Sequence, residues 1–429
     1  MNYKFLSSSI IAFLFAFVCI ACEKKAETDS PTPTEEIKME MSKSAKRGVA
    51  FGKSDCAWED EDLVLMTPAL SWSYNWSEQP QDEIVSGWFD VHDMEFCPMA
   101  WNSGYNANRI RTYVQNHASC HYLLAFNEPN LSDQARMTPT QAAANWKNLV
   151  NLAKELNLKL VSPAMNYGTL SGYSDPIKWL DEFFACDGVS LDDISAIAIH
   201  CYMASPAGLK SFVERFAKYG KPIWITEFCA WENYAIHSAE DQMKYMCEVL
   251  NYIEQEQNIE RYAWFIPRAK AGYPYMQLLS GEKPITLTDA GKIYCGFSSF
   301  DKKAWLNGLQ DISATDYIGL SSNSIQVRPS TLSTHLMLSG MSNDMYTDYQ
   351  IYLSKDVNTF EIHYASLSQA AILIYIDGTL QTLAEIPASG DTMQDWKVAK
   401  VALSVSKGKH QLRIKVSESV VNIDSFKFN

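Results

Sequence analysis

The chain has 429 residues, of which 47% are hydrophobic, and a formal net charge of −14 at pH 7. This length accommodates one large domain and a smaller one. The negative charge argues against nucleic acid or an anionic membrane surface as a partner, because like charges repel. The chain has 12 Trp and 22 Tyr residues, more than a core alone requires. Sugar rings, which present apolar faces, are one reason for such a surplus, and an aromatic-rich core is the alternative.

The first 22 residues have the features of a targeting segment. Lys4 supplies a positive charge, an apolar run extends from Ile10 to Ile20, and Ala21-Cys22 completes a small-residue cleavage site. The pattern resembles a bacterial lipoprotein signal. This implies that Cys22 is lipidated and that the protein is anchored in the cell envelope, on the outer-membrane surface. An uncleaved anchor helix is the alternative, although the apolar run is short for a membrane span. Residues 23–47 are charged and lack apolar periodicity, so we expect a disordered tether.

Eight of the ten cysteines lie outside the targeting segment, from Cys56 to Cys295. None of them forms a CxxC pair or a Cys/His cluster with metal-ligand spacing, so we expect no metal site. Cys97, Cys201 and Cys229 lie in apolar strand-like runs. We therefore predict that these three are buried free thiols.

From Gly48 onward, short apolar strand-like runs alternate with helix-like segments. The eight runs are Gly48–Gly52, Ala69–Trp76, Glu95–Trp101, Tyr122–Asn127, Lys159–Asn166, Ile197–Tyr202, Pro222–Phe228 and Arg261–Pro267. The helix-like segments are Asn106–Asn116, Thr138–Asn157, Pro176–Ala185, Pro206–Tyr219 and Ser238–Gln255. This alternation predicts an α/β fold with a parallel sheet, and eight units predict a closed (β/α)₈ TIM barrel. An open doubly wound sheet is the alternative, but no glycine-rich phosphate loop follows the first strand.

After Tyr294 the helical periodicity ends and alternating strands follow. These are Ser324–Arg328, Gln350–Leu353, Asn358–Ala365, Ala371–Ile376, Lys397–Val405, Gln411–Val416 and Val421–Phe428. Turn signals such as Asp377-Gly378 separate them. The pattern predicts an all-β, antiparallel sandwich. The predicted organisation is a signal at 1–22, a tether at 23–47, a barrel at 48–308 and a sandwich at 309–429.

Polar side chains fall at the carboxyl ends of several predicted barrel strands, where this fold places its chemistry. The fourth strand ends in Asn127-Glu128, and Pro129 then prevents the strand from continuing. The sixth strand ends in His200-Cys201-Tyr202, and the seventh contains Glu227 at its end. Aromatic residues lie on the second, third and eighth strands: Trp72, Tyr74, Trp76, Trp101 and Trp264.

Two carboxylates across a barrel mouth suit the cleavage of a glycosidic bond. One carboxyl, which we expect its neighbours to keep protonated, gives its proton to the leaving oxygen, and the other attacks the anomeric carbon or activates water. For Glu128 alone, a solvent-exposed residue at a polar turn is an equal alternative. A metal site formed by His200 and both Glu residues is disfavoured, because a second His and an Asp are missing from the strand ends. A Schiff-base mechanism is disfavoured because no Lys lies in a predicted strand tip.

These motifs resemble known enzymes. Phe126–Asn130, His200–Tyr202 and Trp224–Phe228 resemble the retaining glycosidases of the large (β/α)₈ clan. More closely, the pattern from Gly48 to about Phe297, including Trp72-Ser73-Tyr74-Asn75-Trp76 and Ser162-Pro163-Ala164, resembles glycoside hydrolase family 128. This family comprises endo-β-1,3-glucanases and is also described as an "Asl1-like" catalytic core. The resemblance implies a laminarin-like β-1,3-glucan as substrate and no cofactor.

The resemblance also implies roles for individual residues. Glu128 would be the acid/base and Glu227 the nucleophile. Asn127 would hydrogen-bond the sugar hydroxyl next to the attacked carbon, while His200 and Tyr202 would orient and tune Glu227. The remaining candidates are aromatic: Trp264 as the hydrophobic floor under the cleaved sugar, and Trp72, Trp76 and Trp101 as sugar platforms, with core packing as their alternative.

The sandwich resembles a second family. Ile374–Gly378, Gly408–Ile414 and Asn422–Phe428 resemble the jelly roll of carbohydrate-binding module families 6 and 35. That resemblance implies a glycan site at the loop end that uses stacked aromatics and a late Asn, with Trp396, Tyr346 and Asn422 as candidates. A sandwich that only packs on the barrel is the alternative.

Taken together, the sequence predicts a monomeric, lipid-anchored retaining hydrolase whose partner is a β-glucan and which touches the membrane only through its anchor. One alternative is a retaining hydrolase of the same clan that acts on another polysaccharide. The other is a non-catalytic glycan-binding lipoprotein. The presence of both Glu128 and Glu227 argues against the non-catalytic alternative, because a binding protein needs neither.

Overall fold

The computed structural model describes residues 41–51, 60–82, 84, 86–269, 272–281, 283–333 and 336–429. The predicted signal, its Cys22, most of the predicted tether and Cys56 lie outside the described residues. The described part of the chain belongs to one compact unit. Among its helices, none combines the length and the apolar character that a membrane crossing requires.

Eight parallel strands form the first half of the fold. They are β1 (Arg47–Ala50), β2 (Trp72–Tyr74), β3 (Glu95–Phe96), β4 (Tyr122–Leu124), β5 (Lys159–Val161), β6 (Ile197–Cys201), β7 (Ile223–Phe228) and β8 (Ile259–Phe265). Six strands pair in the order β3-β2-β1-β8-β7-β6, and β4 pairs with β5. Parallel bridges between Met99 and Leu124 and between Val161 and Ala196 join these two sheets on both sides. The strands therefore close into the predicted (β/α)₈ barrel, and the open-sheet alternative is wrong.

Eight α-helices accompany the strands within the described residues. They are α1 (Asp60–Val64), α2 (Trp88–Val91), α3 (Ala107–Asn116), α4 (Pro139–Glu155), α5 (Pro176–Phe184), α6 (Pro206–Glu214), α7 (Ala239–Gln255) and α8 (Asp289–Gly296). The start of α4 shows why these helices begin where they do. Thr138 caps the backbone N–H of Gln141, and Pro139 occupies the first turn, where it costs no hydrogen bond. Asp175 and Ser205 cap α5 and α6 in the same way, again before a proline.

The interior of the barrel is filled by side chains rather than open. Trp72, Tyr74, Tyr122 and Trp224 belong to one buried cluster inside the ring of strands. The guanidinium of Arg261 lies 4.5 Å from the ring centroid of Tyr122 and 4.6 Å from that of Trp224. A second, larger core lies between the strands and the helices. The barrel is thus a closed support on which loops at the strand ends can hold a site.

Strands that are antiparallel except for the pairing of Leu306–Asn307 with Tyr346–Leu353 form the second half of the fold. They are β9 (Leu306–Asn307), β10 (Ile312–Ser313), β11 (Gly319–Leu320), β12 (Gln326–Pro329), β13 (Leu336–Met341), β14 (Tyr346–Leu353), β15 (Val357–Ala365), β16 (Ala370–Ile376), β17 (Thr379–Ile386), β18 (Lys397–Val405), β19 (Gly408–Glu418) and β20 (Val421–Phe428). One sheet has the order β12-β13-β20-β15-β18, and the other has the order β11-β14-β19-β16-β17. This confirms the predicted sandwich.

The sandwich packs on the outside of the barrel. Helices α7 and α8 contact β12. The hydroxyl of Tyr317 donates to Oδ1 of Asn251 on α7 at 2.5 Å. The ammonium of Lys302 lies 4.5 Å from the ring centroid of the same tyrosine, and burial lowers the pKa of Lys302 to about 8. The contact between the two halves therefore combines hydrogen bonding with aromatic packing.

Candidate active site

A cavity of about 760 Å³ opens at the carboxyl ends of the barrel strands. Six of the predicted site residues line it: Trp76, Trp101, Asn127, Glu128, Tyr202 and Glu227. They come from the ends of β2, β3, β4, β6 and β7, so the convergence of strand ends that the sequence predicted is present. His200 lies directly behind this wall and is fully buried.

The two carboxylates face one another within this cavity. Side-chain oxygens of Glu128 and Glu227 and a ring nitrogen of His200 all lie within 4.8 Å of one another. Both carboxylates are almost completely buried, with 6% of Glu128 and 4% of Glu227 exposed. Carboxyl groups roughly 5–5.5 Å apart are typical of retaining glycosidases, whereas inverting enzymes keep them roughly 6.5–9.5 Å apart. The spacing here is that of the retaining class.

Glu227 is held by donors from two other strands. Nε1 of Trp76 donates to Oε1 at 2.6 Å, and the hydroxyl of Tyr74 lies 3.0 Å from the same oxygen. The hydroxyl of Tyr202 donates to Oε2. A carboxylate is an acceptor when ionised, so these contacts stabilise the charged form and fix its direction.

Glu128 is held by a different pair of donors. Nδ1 of His200 lies 2.8 Å from Oε1, and Nδ2 of Asn166 donates to the same oxygen at 2.7 Å. The backbone of Glu128 has a φ of 43°, a left-handed conformation that is uncommon for a residue with a side chain. Its N–H donates to the carbonyl of Ala164 at 3.0 Å. The turn after β4 is therefore strained, and hydrogen bonds to the next strand hold it in place.

His200 connects the two carboxylates. Its Nδ1 is 2.8 Å from Oε1 of Glu128 and 3.3 Å from Oε2 of Glu227. Burial acts to lower the pKa of His200, but Glu227 and Glu128 raise it above its ordinary value. The resemblance implied that His200, with Tyr202, orients and tunes Glu227. In the structure, Nδ1 of His200 lies closer to Glu128 than to Glu227. It is near enough to both carboxylates to act on each of them.

The same contacts shift the two carboxyl groups in opposite directions. Burial acts to raise the pKa of Glu128, but His200 and the Asn166 amide hold it below its ordinary value. Burial and the charge of Glu128 raise the pKa of Glu227, although His200, Tyr202 and Trp76 oppose this. The sequence reasoning expected neighbours that keep one carboxyl protonated. The neighbours of Glu128 are hydrogen-bond donors instead, and they stabilise its charged form.

Asn127 presents an unpaired acceptor. Its Nδ2 donates to Oε1 of Gln134 at 3.3 Å, while Oδ1 is buried and has no partner among the described residues. A buried amide oxygen without a partner is costly unless something else satisfies it. Because Asn127 lines the cavity next to Glu128, a sugar hydroxyl is a suitable donor. This matches the role that the resemblance implied.

Two predicted sugar contacts are wrong: Trp264 is not a floor under the cleaved sugar, and Trp72 takes the alternative role of core packing. Trp72 and Trp264 are both fully buried and cannot touch a substrate. Trp72 is the first residue of β2, low in the barrel, and its Nε1 donates to the carbonyl of Lys46 at 3.0 Å. Trp264 points away from the barrel axis, where its ring lies 5.1 Å from Phe228 and 5.9 Å from Tyr294. Its Nε1 donates to the carbonyl of Met276.

Phe265 and Trp231 provide aromatic surface in the cavity instead. Phe265 follows Trp264 on β8, and its ring lies 5.7 Å from Trp76 and 5.4 Å from Tyr202. Trp231 lies in the loop after β7, is 41% exposed and is 5.9 Å from Phe265. The sequence reasoning missed both. The strand-end rule could have identified Phe265, whereas Trp231 lies in a loop that carries no periodic signal.

The distances do not favour a metal ion shared by the cluster. Two ligands of one tetrahedral Zn²⁺ lie roughly 3.3 Å apart, because the bonds are about 2.0–2.1 Å long. Nδ1 of His200 and Oε1 of Glu128 are 2.8 Å apart, which is the length of a charge-assisted hydrogen bond. The group Glu128, His200 and Glu227 is therefore organised by hydrogen bonds.

Of the three residues predicted for the loop-end site of the sandwich, Asn422 and Trp396 lie at the same end of β15, where Ala365 pairs with Asn422 and Tyr364 with Lys397, and Tyr346 lies on the other sheet. Asn422 is buried, its Oδ1 accepts from the N–H of Gly340 at 2.9 Å, and its Nδ2 donates to the carbonyl of Met393 at 2.8 Å. Both ends of the amide are used, so Asn422 supports the fold instead of binding a sugar. Trp396 lies just before β18, at the opposite sheet from Tyr346 on β14.

Tyr346 instead borders a cavity of about 310 Å³ on the face of its own sheet, together with Tyr375, Asp348 and Arg413. The Arg413 guanidinium lies 3.7 Å from the centroid of the Tyr346 ring, and its two nitrogens donate to Asp348 at 2.7 and 2.9 Å. An aromatic ring and a fixed polar pair therefore share this face of the sandwich.

Seven cysteines in the described residues are free thiols, among them Cys97, Cys201 and Cys229, and all three of these are buried. This confirms the prediction for those three. Burial raises the pKa of each thiol, so the reactive thiolate form is suppressed.

Comparison with known proteins agrees with this geometry. Residues 48–294 match the family described as glycosyl hydrolase catalytic core, and residues 314–429 match carbohydrate binding module family 6. A GH128 (subgroup II) endo-β-1,3-glucanase from Pseudomonas viridiflava is 37% identical, with a TM-score of 0.54, over 59% of this chain and 98% of that chain. One from Sorangium cellulosum is 30% identical, with a TM-score of 0.52, over 58% of this chain and 97% of that chain.

A more distant relative comes from a yeast. Alkali-sensitive linkage protein 1 of Schizosaccharomyces pombe is 26% identical over 244 residues, which are 53% of this chain and 40% of that protein. The chain thus matches less than half the length of this relative. The family match, by contrast, covers more than half of the present chain, and the two bacterial glucanases match over nearly their whole length. The chain therefore belongs to the glycosyl hydrolase catalytic core family, with a family 128 barrel followed by a family 6 carbohydrate-binding module.

Proposed function

We propose that this protein is a retaining endo-β-1,3-glucanase. The observation that carries the proposal is the facing pair of buried carboxylates at the rim of a family 128 barrel, within 4.8 Å of one another. The spacing supports retention rather than inversion. The linkage is supported by the two bacterial relatives, which are endo-β-1,3-glucanases at 37% and 30% identity.

In the first step, an oxygen of Glu227 attacks the anomeric carbon while the bond to the leaving oxygen breaks. Glu128 gives its proton to that oxygen, so the leaving chain departs as an alcohol. Trp76 and Tyr202 hold the attacking carboxylate in place through their hydrogen bonds. Because these hydrogen bonds fix the carboxylate of Glu227 before the substrate binds, it has to reorganise little during the reaction.

In the second step, water attacks the same carbon from the side of the departed chain. Glu128, now a carboxylate, takes a proton from the water as the bond to Glu227 breaks. The donors around Glu128 suit this step, because they stabilise its charged form. The lowered pKa of Glu128 therefore favours the base role in this step.

A panel of glucans tests the proposal. The purified protein is incubated with β-1,3-, β-1,4- and mixed-linkage glucans, and the products are separated by size. We expect a ladder of short oligosaccharides from laminarin and no products from the β-1,4 polymer. Cleavage of only β-1,4-linked polymers would contradict the linkage, and glucose as the only early product would contradict the endo mode.

We further propose that the sandwich holds the enzyme on its polymer. The family 6 match supports this, and we place the sugar in the cavity that contains Tyr375 and Arg413. An affinity gel containing laminarin measures it on the full-length Glu227→Gln variant, with and without Tyr375→Ala. Unchanged migration after Tyr375→Ala would exclude this face of the sandwich.

Attachment to the cell envelope through Cys22 is likewise a proposal, supported by the sequence of residues 1–22. Fractionation of cells that express the full chain tests it. The wild type should sediment with membranes, and Cys22→Ser should not. Equal distributions of the two would contradict the lipid anchor.

A further inference from the structure

Asn166 lies beside Glu128 and Glu227, and the proposed mechanism assigns it no role. It follows β5, lines the cavity and is half-buried. The residue before it is tied to β6, because the N–H of His200 donates to the carbonyl of Met165 at 2.9 Å. The carbonyl of Asn166 itself accepts from Nδ2 of Asn130 at 2.6 Å. Its backbone is therefore fixed from two sides.

The side-chain amide of Asn166 can point only one way. The backbone N–H of Tyr167 donates to its Oδ1 at 2.7 Å. A backbone N–H is always a donor, so the atom facing it must be the oxygen, and Nδ2 faces Glu128. The amide thus presents a donor to Oε1 of Glu128, at 2.7 Å.

The same oxygen also receives the second donor. Nδ1 of His200 lies 2.8 Å from Oε1, so both hydrogen bonds of the Glu128 carboxyl reach one atom. Among the described residues, Oε2 has no hydrogen-bond partner. A carboxylate oxygen has about two lone-pair positions, and two donors fill those of Oε1. A proton that Glu128 acquires therefore belongs on Oε2.

We propose that Asn166 is a positioning residue of the reaction, which together with His200 keeps Oε1 of Glu128 as an acceptor so that Oε2 carries the proton exchanged with the substrate. This inference rests on the proposed function, since it assigns the acid/base role to Glu128. In the first step, the proton leaves Oε2 for the glycosidic oxygen. In the second step, a proton of the attacking water returns to Oε2 as the bond between Glu227 and the sugar breaks.

Several titratable groups face Glu128 and contribute to its charge state. They are His200 on β6, Glu227 on β7, Tyr74 on β2 and Tyr202 after β6. Asn166, unlike these groups, does not titrate, so it can direct the proton without adding a charge to the site. Replacing it with Asp would place a charge at the same distance, which makes the two variants informative as a pair.

Kinetics with two substrates test the role. Asn166→Ala should lower kcat on laminarin by about 10–100-fold, because a misdirected acid/base slows both proton transfers. With a dinitrophenyl β-oligoglucoside the first step needs no acid, so the variant should show a rapid burst of dinitrophenol followed by slow turnover. Asn166→Asp should move the alkaline limb of the kcat/KM profile to higher pH, since its negative charge raises the pKa of Glu128. Asn148→Ala, an exposed asparagine on α4, is the matched control and should change none of these.

A titration provides a readout that does not depend on activity. The side-chain carboxyl carbons are followed by ¹³C NMR in the wild type and in the variants, with Glu128→Gln used to assign the signal. We expect the Glu128 midpoint to rise in Asn166→Ala and further in Asn166→Asp. Unchanged midpoints, or equal losses of activity on both substrates with no burst, would overturn the inference. If the wild type cleaved none of the glucans while the midpoints shifted, the proposed function would fail and the placement of Asn166 would stand.

Discussion

The rim of the barrel and the end of the sandwich use buried asparagines in opposite ways. At the barrel rim, one amide oxygen of Asn127 has no partner in the described part of the chain and lies beside a cavity and a carboxylate. In the sandwich, Asn422 has both ends of its amide bonded to the backbone. Both are polar and buried near a strand end, so the sequence alone assigns them the same function. Asn127 has a side-chain oxygen left to bind a ligand, whereas both ends of the Asn422 amide are bonded. This difference distinguishes a residue of the site from a residue that supports the fold.

The same comparison applies to charge. The rim concentrates two carboxylates around one imidazole, a coupled and costly arrangement for a fold to maintain. The sandwich neutralises its charges locally, as in the bidentate pair between Arg413 and Asp348. Proteins tolerate uncompensated polar groups mainly where function requires them. The contrast marks the rim as the catalytic region.

Removing the attacking oxygen at the rim should have the largest effect. We expect Glu227→Gln to lower kcat on laminarin by about 10³-fold or more, because no covalent intermediate can form. The amide is nearly the same size as the carboxyl, so the fold and the binding of laminarin should persist. Residual activity within tenfold of the wild type would show that Glu227 is not the nucleophile.

Removing the proton donor should have a smaller effect that depends on the substrate. Glu128→Ala should lose about 10²–10⁴-fold on laminarin, which has a poor leaving group. The formation of the intermediate from a dinitrophenyl glycoside should be affected much less, because that leaving group needs no proton. Rates from single-turnover measurements compare the two substrates. Equal losses on both would contradict the acid role.

His200→Asn tests the electrostatic link between the carboxylates. His200 favours the charged form of both, so its removal should raise the pKa of Glu128 and of Glu227. The acid limb of kcat/KM reports protonation of the nucleophile, and the alkaline limb reports loss of the acid proton. Both limbs should therefore move to higher pH. A profile that falls in height with its limbs unmoved would mean that His200 only supports the packing.

The two asparagines provide the smallest effects and the sharpest contrast. Asn422→Ala should destabilise the protein by about 1–3 kcal/mol, since it leaves the half-buried N–H of Gly340 and carbonyl of Met393 without this partner. Its kcat on soluble glucan should not change. Asn127→Ala should lower kcat/KM while thermal unfolding changes much less. The reverse pattern, with Asn127 affecting stability and Asn422 affecting sugar binding, would invalidate the distinction between site and support.

The strand-end pattern was sufficient to identify the main site residues. Buried parallel strands are continuous apolar runs, so the eight strands and the polar residues that end them could be predicted. Glu128, Glu227 and Tyr202 therefore lie where the sequence placed them. The short helices α1 and α2 could not be predicted, because one turn shows no period. The edge strand β17 was missed since Leu380 and Leu383 face solvent and hide its alternation.

The aromatic residues show what periodicity leaves undetermined. Trp72, Tyr74 and Trp76 alternate along one strand and share a face, but only depth along the barrel decides which of them meets a substrate. Trp76 lies at the rim and Trp72 lies low in the core. For Trp264 and Phe265 the difference is one residue, which moves a side chain from the cavity to the layer between strands and helices. The depth of a residue along the barrel and the register of its strand depend on how the strands pair. A short stretch of sequence does not determine that pairing.

The stereochemistry of the released sugar distinguishes retention from inversion. Proton NMR follows the anomeric signal of the new reducing end during the first minutes of laminarin hydrolysis, before the anomers equilibrate. A facing carboxylate pair at this separation predicts that the β-anomer appears first, because two inversions restore the configuration. The α-anomer appearing first would contradict the account, since it would require a single displacement by water.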